Sequence, residues 1–252
     1  NMNLYRYRNM KEDDKLITAD YVTMSKVEVE KQVSGSASAN VHLKSKYRIS
    51  DIRDWRDIPG WINDADWLFK KIVDECDNDD HLVEIGTYFG QSACCMGELI
   101  KNSKKNIIFD SIDSFETLDP SFIAGFHPDQ FKDYRFSKEL KTAPMSNIVK
   151  MHLDILEIDN FVNVKVCESN YAHHFYDDNS LKMVYLDGDH RYDQIFNDMK
   201  SFWPKVKSGG YLCGDDIIFD GVKTALSDFK LKYKINSNDV KRNSFCWEIK
   251  KR

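Results

Sequence analysis

Residues 82–92 constrain the fold more than any other stretch of the chain. They open as a short apolar run, Leu82 to Ile85, interrupted by one acid, Glu84. The chain then turns through Gly86 and Gly90 and continues into residues 92–100, which read as a helix. A strand, a tight glycine turn and a helix make the opening unit of an open α/β sheet. Such a turn lets the backbone approach a ligand closely and aims the free N–H groups of the helix start at it.

The same alternation continues downstream. Apolar runs at 106–113, 163–167, 181–187, 211–216 and 243–249 read as strands after the first at 81–85. Residues 192–203 read as a helix with Ile195, Phe196, Met199, Phe202 and Trp203 as its buried stripe, and 222–233 as another amphipathic helix. Ser208, Gly209 and Gly210 are expected to turn the chain into the fifth strand. Before the first strand, residues 63–74 read as an amphipathic helix carrying Trp67, Ile72 and Val73, with Asn63 or Asp64 as its cap. Aromatics gather here: Tyr47, Trp55, Trp61, Trp67 and Phe69. They are expected to pack the helix on the sheet; the sharper alternative is that one or two line an acceptor pocket. Strands alternating with helices predict a doubly wound, mostly parallel sheet, with ligands at the carboxyl ends of its strands.

Two regions depart from the pattern. Residues 1–50 are polar, with a charge cluster at 11–15 and a flexible connector at 33–40. Residues 116–155 hold Pro120, Gly125, His127, Pro128 and Pro144 among five aromatics, and read as a lid or binding insertion. The expected organisation is therefore a polar segment at 1–50 and one α/β domain at 51–252, with a helical cap at 51–80 and the insertion at 116–155.

Acids end four strands: Glu84, Asp113, Asp187, and Asp215 with Asp216. Carboxylates on one rim repel, so a cation or a donor-rich ligand must offset them. The net charge of −5 gives no electrostatic case for nucleic acid or an anionic membrane. No apolar window is long enough to span a bilayer, and no signal peptide is evident. The six cysteines lack zinc spacing and read as reduced thiols, which places the protein in the cytoplasm. The aromatic-rich region before residue 80 could serve a homo-oligomeric interface. The chain opens Asn1-Met2, as a piece of a longer polypeptide would.

The turn Glu84-x-Gly86-x-x-x-Gly90 resembles the first motif of class I S-adenosylmethionine-dependent methyltransferases, and is not the Gly-x-Gly-x-x-Gly dinucleotide fingerprint. Taken with residues 112–115, 186–192 and 208–216, the set resembles the metal-dependent O-methyltransferases of sugars and macrolides. The resemblance spans about residues 80–250 and implies a seven-stranded, Rossmann-like methyltransferase fold with an N-terminal helical appendage. It further implies S-adenosylmethionine as cofactor, held by Glu84, Gly86, Thr87, Tyr88, Gly90, Ser92, Asp113, Ser114, Glu168, Ser169 and Asp187. Asp113 would accept from the ribose hydroxyls, and Glu168 and Ser169 would read the adenine edge. Asp187, Asp215 and Asp216 would hold Mg2+ or another divalent cation. Either Asp189 or His190 would be the base.

The implied reaction is methylation of a hydroxyl on a sugar or glycosylated small molecule. An aliphatic hydroxyl is barely ionised at neutral pH, so a metal and a base are both useful to it. Three carboxylates suit an oxygen-preferring ion. Metal-independent methylation of another acceptor, a catalytically silent cofactor- or glycan-binding module, and a nicotinamide oxidoreductase are the alternatives.

Overall fold

The computed structural model describes residues 52–62, 65–115 and 144–252. Seven strands form one sheet: β1 (His81–Ile85), β2 (Ile108–Asp113), β3 (Asn163–Val166), β4 (Leu181–Leu186), β5 (Val206–Gly214), β6 (Val240–Asn243) and β7 (Cys246–Lys250). Their order is β3-β2-β1-β4-β5-β7-β6. The first five run parallel, and β7 is antiparallel to both β5 and β6. The doubly wound, mostly parallel sheet with seven strands is thus present as expected.

Helices cover both faces, which is why the central strands are apolar along their length rather than alternating. One face carries α1 (Ala65–Glu75), α2 (Gln91–Ser103) and α3 (Met145–Ile155). The other carries the short α4 (Ser169–Ala172), α5 (Tyr192–Phe202) and α6 (Asp220–Lys232). A 3-10 turn at Trp55–Asp57, closed by a capping box from Asp54, precedes α1.

Register sets the position of the site. Ile85 lies level with Ile112 of β2 and Leu186 of β4, and Leu186 lies level with Gly214 of β5. The next residue of each strand is therefore Gly86, Asp113, Asp187 or Asp215, all on one carboxyl rim.

The structure revises four readings. The expected strand at 243–249 is two strands joined by the two-residue turn Ser244-Phe245, with Ser244 at φ +51°. β5 begins at Val206, so Ser208 to Gly210 lie inside it, where the pairing with β4 jumps from Leu181–Val206 to Met183–Tyr211 and β5 bulges. Trp67 is 40% exposed, because the buried stripe of α1 is Ala65, Leu68, Phe69, Ile72 and Val73. The end of the expected lid is α3, whose Ile148, Val149, Met151 and Leu153 are core residues. Residues 116–143, the caps at 63–64 and the 1–50 segment lie outside the described residues. No helix among the described residues is long and apolar enough to cross a membrane. All six cysteines are free.

Candidate active site

The glycine turn sits at the centre of the rim. Gly86 has φ +96°, and a Cβ there would stand 2.1 Å from the carbonyl oxygen of Asp187. Only glycine lets β1 turn this close to the end of β4. Gly90, at φ +86°, precedes α2 with no side-chain cap, so the helix starts with its N–H groups unclaimed by a capping side chain.

Asp113 braces the turn. Its Oδ2 accepts the N–H of Thr87 at 2.8 Å and of Tyr88 at 3.0 Å, and its Oδ1 accepts the N–H of Phe115 at 2.8 Å. Tyr88 is thereby held at φ +52°. Below the turn, Thr87 Oγ1 lies 2.7 Å from Ser111 Oγ, which donates to Glu84 Oε2 at 2.6 Å. Burial pushes the Glu84 carboxyl up to about 7, against the lowering pull of the Ser111 and Ser92 hydroxyls. Glu84 Oε1 is buried with no hydrogen-bond partner among the described residues.

A cavity of about 490 Å³ opens over this turn. Its lining includes Gly86, Tyr88, Asp113, Ser114, Glu168, Ser169, Asp187 and Asp189. Of the expected cofactor residues, Glu84, Thr87, Gly90 and Ser92 lie in the supporting turn and helix start rather than in the lining. Gln194, which sequence reasoning did not single out, also lines the cavity. Its Nε2 donates to Ser169 Oγ at 2.8 Å, to Asn170 Oδ1 at 3.0 Å and to Asp198 Oδ1 at 3.1 Å. The wall after β3 is thus tied to α5. The i, i+4 spacing of Gln194 and Asp198 in an otherwise apolar stripe was the signal for it.

At the end of β4 the chain brings together Asp187, His190 and Asp216, with one ligand atom of each within 4.8 Å of the others. His190 Nε2 lies 2.7 Å from Asp216 Oδ2, without the alignment of a directed hydrogen bond. Asp187 is driven well above the usual carboxylate range by loss of solvation, then by Asp215, Asp216, Glu84 and Asp113. The Asp216 carboxylate raises His190, against the opposing effect of burial. Asp215 is buried and outside this trio: its Oδ1 accepts the N–H of Asp216 at 2.8 Å and faces the Cys246 thiol at 3.7 Å. Asp189 faces the cavity but is paired with Arg191, whose guanidinium holds it below its ordinary value. Trp61, 48% exposed, stacks on Tyr88 at 5.7 Å; Trp55 is core.

The family model described as "Methyltransferase domain" matches residues 83–217, which run from β1 through the Asp215-Asp216 turn. The chain belongs to that family. With its seven-stranded order, it is a class I, S-adenosylmethionine-dependent methyltransferase. No curated protein matches this methyltransferase in sequence. Among solved structures, the O-methyltransferase NovP superposes with a TM-score of 0.51 at 16% identity, covering 74% of this chain and 78% of that one. A Clostridium thermocellum protein regarded as an rRNA methylase gives 0.50 at 14% identity, over 77% of this chain and 100% of its own. A SAM-dependent O-methyltransferase from Thermotoga maritima gives 0.49 at 10% identity, over 74% of this chain and 64% of its own. At these identities the likeness is one of fold.

Proposed function

We propose that this methyltransferase transfers the methyl group of S-adenosylmethionine to a hydroxyl, that the acceptor is a sugar or a glycosylated small molecule, and that a divalent cation such as Mg2+ assists. The observation carrying this reading is the Asp187, His190 and Asp216 trio, level with the glycine turn on the same rim.

The residues fit both groups. The cofactor finds a backbone cradle with no room for a side chain at Gly86. A cation finds two carboxylates, whose mutual repulsion it would relieve, and an imidazole, a donor set that suits oxygen-preferring and borderline metals. Asp187, Asp216 and His190 would hold it; Asp215 would keep Asp216 in place through the backbone N–H it accepts. When bound, the cofactor supplies an electrophilic methyl group and the cation favours the ionised form of the acceptor hydroxyl.

The chain itself has to orient the hydroxyl and take its proton. With His190 engaged beside Asp216, the proton goes to Asp189 once Arg191, 84% exposed at its side chain, swings off the carboxylate. A second reading rests on the 2.7 Å contact of His190 with Asp216: without a cation, this pair could itself serve as base for another acceptor. Turnover of S-adenosylmethionine against free and glycosidic deoxysugars, with Mg2+ and then with chelator, separates the two. The metal-assisted reading requires activity to vanish in chelator and return with Mg2+, and D189N to lose more than H190Q in turnover at saturating Mg2+. Chelator-resistant activity abolished by H190Q would support the second.

A further inference from the structure

We infer that the acceptor docks an apolar part of itself on a fixed ledge, Ile218-Phe219, beside the Asp187, His190 and Asp216 trio. The preferred acceptor is therefore a hydroxyl-bearing ring with an apolar substituent, not a bare sugar. The inference rests on the reading of this rim as the methyl-acceptor site.

Ile218 and Phe219 are 50% and 46% exposed, two consecutive large apolar side chains facing outward. They follow Asp216 after one intervening buried residue, Ile217. The Phe219 ring lies flat on the His190 imidazole, with centroids 5.0 Å apart and planes 3° apart. The ledge is thus continuous with the trio. It is also rigid: the N–H of Ile217 donates to the Phe245 carbonyl at 2.9 Å, and that of Phe219 to the Asp216 carbonyl at 2.9 Å. Behind it, a Cβ on Gly221 would stand 2.3 Å from the His190 carbonyl oxygen, so the start of α6 is pressed against the His190 loop. Apolar side chains exposed on a braced turn at a reaction centre gain by being covered, and a ligand whose hydroxyl reaches the trio is placed to cover them. The other exposed apolar side chains, such as Ile108, Val166 and Leu231, have no described contact with the trio.

Equilibrium titration of protein saturated with S-adenosylhomocysteine and Mg2+ tests this. The probes are methyl α-rhamnopyranoside, 4-nitrophenyl α-rhamnopyranoside and 4-tert-butylcatechol. Wild type is expected to bind the nitrophenyl glycoside roughly tenfold tighter than the methyl glycoside, the scale of one covered apolar group. Ile218→Ser should remove most of that preference and leave methyl glycoside affinity unchanged. Phe219→Ser should remove it further, and Phe219→Tyr should restore it. Equal binding of the two glycosides by wild type, equal weakening of both by Ile218→Ser, or binding of none of the three probes overturns the ledge. Binding of the catechol alone, weakened by Ile218→Ser, supports the ledge and sinks the sugar reading.

Discussion

Glu84 and Asp110 are both buried carboxylates on adjacent strands, yet their surroundings push them in opposite directions. Glu84 has lost its solvation to apolar neighbours and hydroxyls, and titrates at about 7. Its folded value lies above the unfolded one, so the folded state binds the extra proton. The stability it contributes is present below about pH 4.5 and is lost as pH rises through 7, a swing of roughly 3 kcal/mol. Urea melts of E84Q against wild type from pH 5 to 8 should show the wild-type decline and a flatter variant. Asp110 is also desolvated, but His81 at 2.8 Å and Lys165 at 2.6 Å outweigh burial and hold it at about 2. Tyr176 and Asn163 donate to the same carboxylate. Its stabilising contribution is therefore present above about pH 4 and lost as pH falls through 2. D110N should cost about 2 kcal/mol at pH 7, with the gap to wild type closing near pH 2. At Gly86 the issue is space. G86A forces a methyl group onto the Asp187 carbonyl, and should cost roughly 2–4 kcal/mol by denaturation and abolish S-adenosylhomocysteine binding by calorimetry.

At the scale of elements, legibility in the sequence followed burial for the central strands. β1 is matched residue for residue, and β2 and β4 to within two residues at an end, because strands buried on both faces read as largely apolar runs. β3, an edge strand with no buried residue, was legible instead from its β-branched Val164 and Val166. β6, with three of its four residues exposed, was hidden as a polar approach to β7, and the turn Ser244-Phe245 lacks the glycine that advertises a hairpin. Trp67 misled because hydrophobicity was weighed without phase: Leu68 and Ile72 share a stripe with Phe69 and Val73, and Trp67 falls outside it. F69A, which removes a ring packed edge-on to Tyr185, should cost about 3–5 kcal/mol, whereas W67A should stay within about 0.5 kcal/mol by thermal or urea unfolding. Of the site, the residues at strand ends were legible because register carries strand ends to one rim. The partnership of His190 with Asp216, the Asp189-Arg191 pair and the Gln194 tie were not, since each depends on how a loop folds back across the sheet.

For the whole molecule, the parallel sheet gathers acids at one edge and the glycine turn leaves that edge open. The charge stored there has a consequence for ligand linkage: cation binding should raise the melting temperature of the cofactor-loaded protein, and D187N or D216N should remove that gain. On the proposed reading, the cofactor and a cation share this edge. Diffraction from crystals soaked with S-adenosylhomocysteine and Mn2+, collected with anomalous signal from manganese, tests it most directly. The expected result is the nucleoside in the cavity over Gly86 and a single manganese peak among Asp187, His190 and Asp216. S-adenosylhomocysteine bound away from the glycine turn, or manganese absent from that trio with the cofactor in place, would contradict it.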